Sequence, residues 1–158
     1  MGTDWSRLPD SRLEYGRVPA LLDRVERDDG DTAAWDELGH RLALEHDLVS
    51  PAGFAALPRL VRLAPYSARA RGLAGETVMR GAAHHGCDDL FEGLAPVIAA
   101  FGDVLDSHLP THPADWLACL RYLLAVSATS SAPPSAPGAA PASRSAPSTR
   151  TPTAPSRP

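Results

Sequence analysis

Apolar positions recur at helical spacing in six segments of this chain, and no stretch alternates apolar and polar residues with the β-branched enrichment of a strand. After an irregular opening through Tyr15-Gly16, residues Val18, Leu21, Leu22 and Val25 share one face of a short helix expected to start at Pro19. Asp28-Asp29-Gly30-Asp31 ends it, and Asp31 is placed to cap a second helix carrying Trp35, Leu38 and Leu42. Ser50-Pro51 reads as N-cap and first position of a third helix with Phe54, Leu57, Val61 and Ala64, stopped by Pro65. A fourth segment, Ala68 to His85, is thin: Leu73, Val78 and Met79 are its large apolar residues, and Gly72, Gly75 and Gly81 predict close backbone approach. Gly86 ends it, and Asp88 or Asp89 opens a fifth helix with Leu90, Leu94, Val97, Ile98, Phe101 and Leu105. Leu109 to Pro113 reads as a turn before a sixth helix, Ala114 to Val126.

A longer period overlies the helical one. Val18-Pro19-Ala20-Leu21-Leu22, Leu57-Pro58-Arg59-Leu60-Val61 and Ala95-Pro96-Val97-Ile98 place their prolines 39 and then 38 residues apart. His46 and His85 stand at equal offsets, 27 residues after Pro19 and Pro58. A unit of roughly 40 residues built from two helices cannot bury its apolar face alone, so neighbouring units must stack. The expected fold is all-α: a short right-handed α-solenoid of about three helix pairs. Pro58 and Pro96 fall inside helical patterns, where each deletes a backbone hydrogen bond and bends the axis.

Composition divides the chain in two. From Ala128 onward the residues are almost wholly Ala, Pro, Ser, Thr and Arg, with nothing large to bury, so residues 1–127 are expected to fold and 128–158 to remain a disordered tail. The tail holds Arg144, Arg150 and Arg157 and no acid; the whole chain is −4, so the body carries 12 Arg against 19 acids, or −7. Nucleic acid is a poor partner for such a body, since phosphate binding needs clustered cations. Cys87 and Cys119 are too few for a disulfide framework, which makes the cytoplasm the expected location. The longest apolar run, Leu94 to Phe101, is too short to span a bilayer, so no membrane role is expected.

Tyr15-Gly16, the Val18 to Leu22 segment, the Trp35 to Leu44 helix and the stretch from His46 through Val61 together resemble the HEAT-repeat proteins common in actinobacteria. The likeness covers roughly residues 5 to 65, with a weaker echo from Trp116 to Leu124. HEAT units put proline in the first helix, Asp in the turn and Arg early in the second helix; here Pro19 with Asp28 or Asp31, and Pro58 with Arg69 or Arg71, fill part of that pattern. The resemblance implies an α-solenoid used for binding, without catalytic residues.

His84-His85-Gly86-Cys87-Asp88-Asp89 is the densest group of metal-ligand types. Adjacent histidines on a helix point about 100° apart and seldom face one ion, so a polar helix end followed by a capping Asp is the simpler reading. Asp28-Asp29-Gly30-Asp31 lacks the spaced ligands and closing Glu of a calcium loop, and capping accounts for it. His108 and His112 are separated by Pro110 and read as a solvated turn, while Trp35 lies on a periodic apolar face and reads as core.

The sixth helix differs from a normal solenoid end. Trp116-Leu117-Ala118-Cys119-Leu120-Arg121-Tyr122-Leu123-Leu124 is apolar nearly all round, where a terminal repeat usually shows a polar outer face. Trp116, Leu117, Leu120 and Leu124 are therefore the candidate partner-binding residues. The function expected is a non-catalytic module that binds another protein, or itself, through this helix, with no cofactor. The alternatives are a metal-dependent enzyme using the His84 to Asp89 group and a degenerate repeat fragment without activity.

Overall fold

The computed structural model describes residues 3–42, 49–83, 88–111 and 115–130. Those residues form one 3-10 turn, Trp5–Arg7, and six α-helices, with no strand. Helix α1, Arg17–Arg27, begins two residues before the expected Pro19. Proline is tolerated there because the first-turn amides have no partner within the helix in any case. Gly16 precedes it in the left-handed region, at φ 74°, where a side chain would be strained. The Asp28 amide donates to the Arg24 carbonyl at 2.9 Å, closing α1. Asp31 Oδ1 then accepts the Ala34 amide at 3.0 Å and caps α2, Thr32–Leu42.

Helix α3, Pro51–Leu63, starts as its sequence implies, with Ser50 Oγ accepting the Gly53 amide at 3.1 Å. Ala64 and Pro65 end it. Helix α4, Ala68–Ala83, and helix α5, Asp88–His108, follow. Both internal prolines, Pro58 in α3 and Pro96 in α5, lie on exposed sides, where the missing amide costs the core nothing. Helix α6, Trp116–Ser130, runs four residues past the expected end at Val126 and three past the expected boundary at 127. No helix breaker occurs before Pro133, and Ser127 Oγ donates back to the Leu123 carbonyl at 2.9 Å. The remainder of the expected tail, 131–158, lies outside the described residues.

Helices adjacent in sequence pack as α1 with α2, α3 with α4 and α5 with α6. The odd helices also touch in order, α1 to α3 to α5, and the even ones likewise, α2 to α4 to α6. Leu22, Leu38, Leu42, Leu57, Leu60, Ile98, Phe101 and Leu105 fill the space between the two files and are fully buried. Trp35 joins this core, and its indole Nε1 donates to the Asp29 carbonyl at 3.0 Å. A methyl at Gly75 would overlap the Tyr122 ring, so the glycine of α4 is what lets α6 approach so closely. Among the described residues no helix is long and apolar enough to cross a membrane.

Candidate functional site on the last helix

Helix α6 is covered by two neighbours, and its apolar surface exceeds what they can cover. Cys119, Tyr122, Ala125 and Val126 are buried against α4 and α5, while Leu120 and Leu123 are half-buried. Leu117 and Leu124 remain 66% and 64% exposed. Of the four residues expected to meet a partner, these two are therefore open and Leu120 lies at the margin between them and the core. The Trp116 side chain lies outside the described part of the structure. Leu117, Leu120 and Leu124 stand at i, i+3 and i+7, the spacing of a single helical stripe.

The start of α6 is fixed by charge. Asp115 Oδ2 lies 2.9 Å from His108 Nε2 and 3.8 Å from an Arg71 terminal nitrogen, while the other Arg71 terminal nitrogen donates to the Ala64 carbonyl at 2.7 Å. His108 is thus buried in a three-residue polar contact, and the expectation of a solvated turn histidine fails for it. The reason is tertiary: Asp115 at the start of α6 closes on His108 at the end of α5 and is itself approached by Arg71 of α4, which local sequence does not reveal. His112 lies outside the described residues. Burial pushes the Cys119 thiol above its ordinary pKa, so this cysteine stays protonated and inert at neutral pH.

The candidate ligand groups divide between described and undescribed parts of the chain. His84, His85, Gly86 and Cys87 lie outside the described residues, and Asp88 opens α5. Among the described residues no three His, Cys, Asp or Glu side chains gather closely enough to hold a metal ion. In the Asp28 to Asp31 loop, Asp28 Oδ1 accepts the Gly30 amide at 2.9 Å, and Asp31 both caps α2 and pairs with Arg24 at 2.8 Å. These carboxylates serve the turn. A shallow cleft of about 240 Å³ between α2 and α4 is lined by Trp35, Asp36, Arg69, Gly72, Leu73 and Glu76.

The most elaborate polar cluster escaped the sequence reading altogether. Arg41, 2% exposed, bonds to Asp10, Glu14 and Glu37 at 2.5, 2.9 and 2.8 Å. Asp10 is buried too, and its Oδ1 accepts the amides of Arg12 and Glu14. Burial pushes the Asp10 carboxyl up, but the bonds from Arg41 and those two amides outweigh it and hold the carboxyl below its usual range. Ser11 adds two ties, its amide to the Arg41 carbonyl at 3.0 Å and its hydroxyl to the His40 carbonyl at 2.6 Å. The segment expected to be irregular is therefore strapped across the end of α2. It displays Leu13, at φ 60° and 78% exposed, beside exposed Tyr15. One signal was available in the sequence: Arg41 falls in the buried register of Ala34 and Leu38, where a charge demands partners.

The odd file has its own charged seam. Arg59 of α3 reaches Asp23 and Glu26 of α1 at 2.6 and 2.7 Å, and Arg62 joins Glu26 at 2.7 Å. The Arg59 bond, against some opposing burial, holds the Glu26 carboxyl below its usual range. No protein-family model, curated protein or solved structure matches this chain.

Proposed function

We propose that the chain is a non-catalytic binding module, a right-handed α-solenoid of three HEAT-like pairs, that docks another protein on the open face of α6. Three features support the solenoid reading. The contacts run both within pairs and along two files. Pro19, Pro58 and Pro96 fall one to each odd helix at near-constant spacing. The charged seam from α3 to α1 joins one pair to the next.

The exposure of Leu117 and Leu124 carries the binding reading. Burying a leucine fully is worth about 1.5–3 kcal/mol, so two such side chains left in water on one stripe are a standing driving force for association. The body charge of −7 directs that association toward protein surfaces and away from phosphate backbones. The cytoplasm is the proposed location, since the cysteine usage suggests no disulfide framework.

Quantitative affinity capture from cells expressing the full chain, parent against Leu124→Glu, tests this. A protein recovered in near-stoichiometric amount with the parent and lost with the variant, at unchanged helicity, supports the reading. Equal recovery by both baits contradicts it.

A further inference from the structure

The N-terminal strap, residues 3–16, serves two helix ends at once. The last carbonyls of α2 and the first amides of α3 have no partner within their own helices. Ser11 supplies donors to the first set: its amide reaches the Arg41 carbonyl at 3.0 Å and its hydroxyl the His40 carbonyl at 2.6 Å. Pro9 supplies an acceptor to the second, its carbonyl taking the Ala52 amide at 3.3 Å. The Arg41 carbonyl also accepts from the hydroxyl of Ser50, the cap of α3, at 3.4 Å. Because α2 packs with α1 and α3 packs with α4, these bonds cross from the first helix pair to the second.

What holds the strap down is polar. Asp10 is its one buried residue, while Trp5, Leu8 and Pro9 are half-buried and Leu13 and Tyr15 are exposed. A segment with so few buried apolar side chains lies toward the low end of local stability within a fold.

We propose that the strap is a latch, opening as one unit while the six helices stay folded, and that closing it locks the first helix pair against the second. Asp10 makes the unit cooperative. Its Oδ1 accepts the Arg12 amide at 2.9 Å and the Glu14 amide at 3.0 Å, its carbonyl accepts the Leu13 amide at 3.0 Å, and its own amide donates to the Glu14 carbonyl at 2.9 Å. The same carboxylate holds Arg41 of α2, so the turn and its anchor come apart together. Leu13 works against closure. At φ 60° its backbone is in the left-handed region, where a bulky side chain is strained, and at 78% exposure its position gains little burial in return. The latch is therefore held shut by the Asp10 and Ser11 bonds against a bias toward opening that is built into the turn.

Native-state hydrogen exchange of the full chain, followed by NMR at low urea concentrations, tests the latch. The amides of Ser11, Leu13 and Glu14, together with Ala52 across the join, should exchange through one shared opening that is more frequent than the opening that exposes the Leu22 and Leu57 amides. Ser11→Ala deletes the bond to the His40 carbonyl and should make the shared opening about fivefold more frequent. Leu13→Asn places a residue that tolerates the left-handed region and should make it about fivefold rarer. Both variants should move Ala52 with the strap and leave the amides of α5 and α6 unchanged. Strap amides that lack protection, that exchange only with the whole molecule or that open independently of one another overturn the latch. So does an Ala52 amide, or a set of strap amides, indifferent to both variants.

Discussion

Arg41 and Asp10, 31 residues apart in sequence, form a buried ion pair at 2.5 Å that fastens the N-terminal strap to the end of α2. Arg41 is the shared cation of three carboxylates, and Asp10 in turn organises the strap by accepting two of its amides. Burial lowers the affinity of Arg41 for its proton, yet the bonds to Asp10, Glu37 and Glu14 raise it further, so the guanidinium stays charged throughout.

Removing the cation alone should be expensive. Arg41→Met leaves Asp10 as an uncompensated buried charge, and urea denaturation should show a loss of about 3–5 kcal/mol. Glu14 and Glu37 are half-exposed and can rehydrate, so the cost centres on Asp10. Adding Asp10→Asn to Arg41→Met removes the stranded charge while keeping an oxygen for the two amides. The double variant should regain at least about 1 kcal/mol over Arg41→Met.

Acid should destabilise the protein through the same cluster and the α1–α3 seam. Asp10, Glu26 and Glu37 all have folded-state pKa values below their ordinary ones: for Asp10, bonds from Arg41 and the Arg12 and Glu14 amides overcome an opposing burial effect; for Glu26 and Glu37, the bonds to Arg59 and to Arg41 lead. A depressed carboxylate contributes stability that is complete above its unfolded pKa and is lost as pH falls through the folded one. Thermal melts should therefore hold their midpoint from neutrality down to the ordinary carboxylate range and fall below it. In Arg41→Met the acid loss should be shallower. At the other extreme, burial raises the Cys119 thiol and the Tyr122 hydroxyl, so their contribution is full below the ordinary thiol and phenol values and fades as pH rises past them.

Two glycines three residues apart on α4 should respond in opposite directions. Gly75→Ala drives a methyl into the Tyr122 ring, a rigid neighbour, and should cost about 1–3 kcal/mol with loosening of α6. Gly72 has nothing within 4 Å of an added Cβ, so Gly72→Ala should stabilise by about 0.5–1 kcal/mol through helix propensity. Equilibrium denaturation of the two single variants distinguishes close approach from mere helix thinness.

Helix α3 offers a local check. Ser50→Ala removes the oxygen that accepts the Gly53 amide and should lower stability by about 1 kcal/mol in equilibrium urea denaturation.

Local chemistry was legible in the sequence, and long-range chemistry was not. The caps at Asp31 and Ser50, the stop at Pro65, the close approach through α4 and the burial of Trp35 each depend on residues within a few positions or on one helical face. The same periodicity marked α6 as too apolar, and Leu117 and Leu124 are indeed exposed. What periodicity does not carry is which distant residue answers a buried charge. His108 found Asp115, which Arg71 of α4 also approaches, and Arg41 found the strap, by contacts that composition and spacing do not encode. The length of α6 was underestimated because Ser and Ala after Val126 permit a helix without demanding one.

The open α6 face is tested most directly by solvent paramagnetic relaxation of leucine methyl resonances in the full chain at low concentration. Leu117 and Leu124 should broaden strongly on adding a soluble paramagnetic agent, while Leu22, Leu57 and Leu105 stay sharp and Leu120 falls between. Protection of Leu117 and Leu124 to the level of the core leucines, in a sample that sediments as a monomer, would show that the chain covers this face itself and would contradict its role as a docking surface.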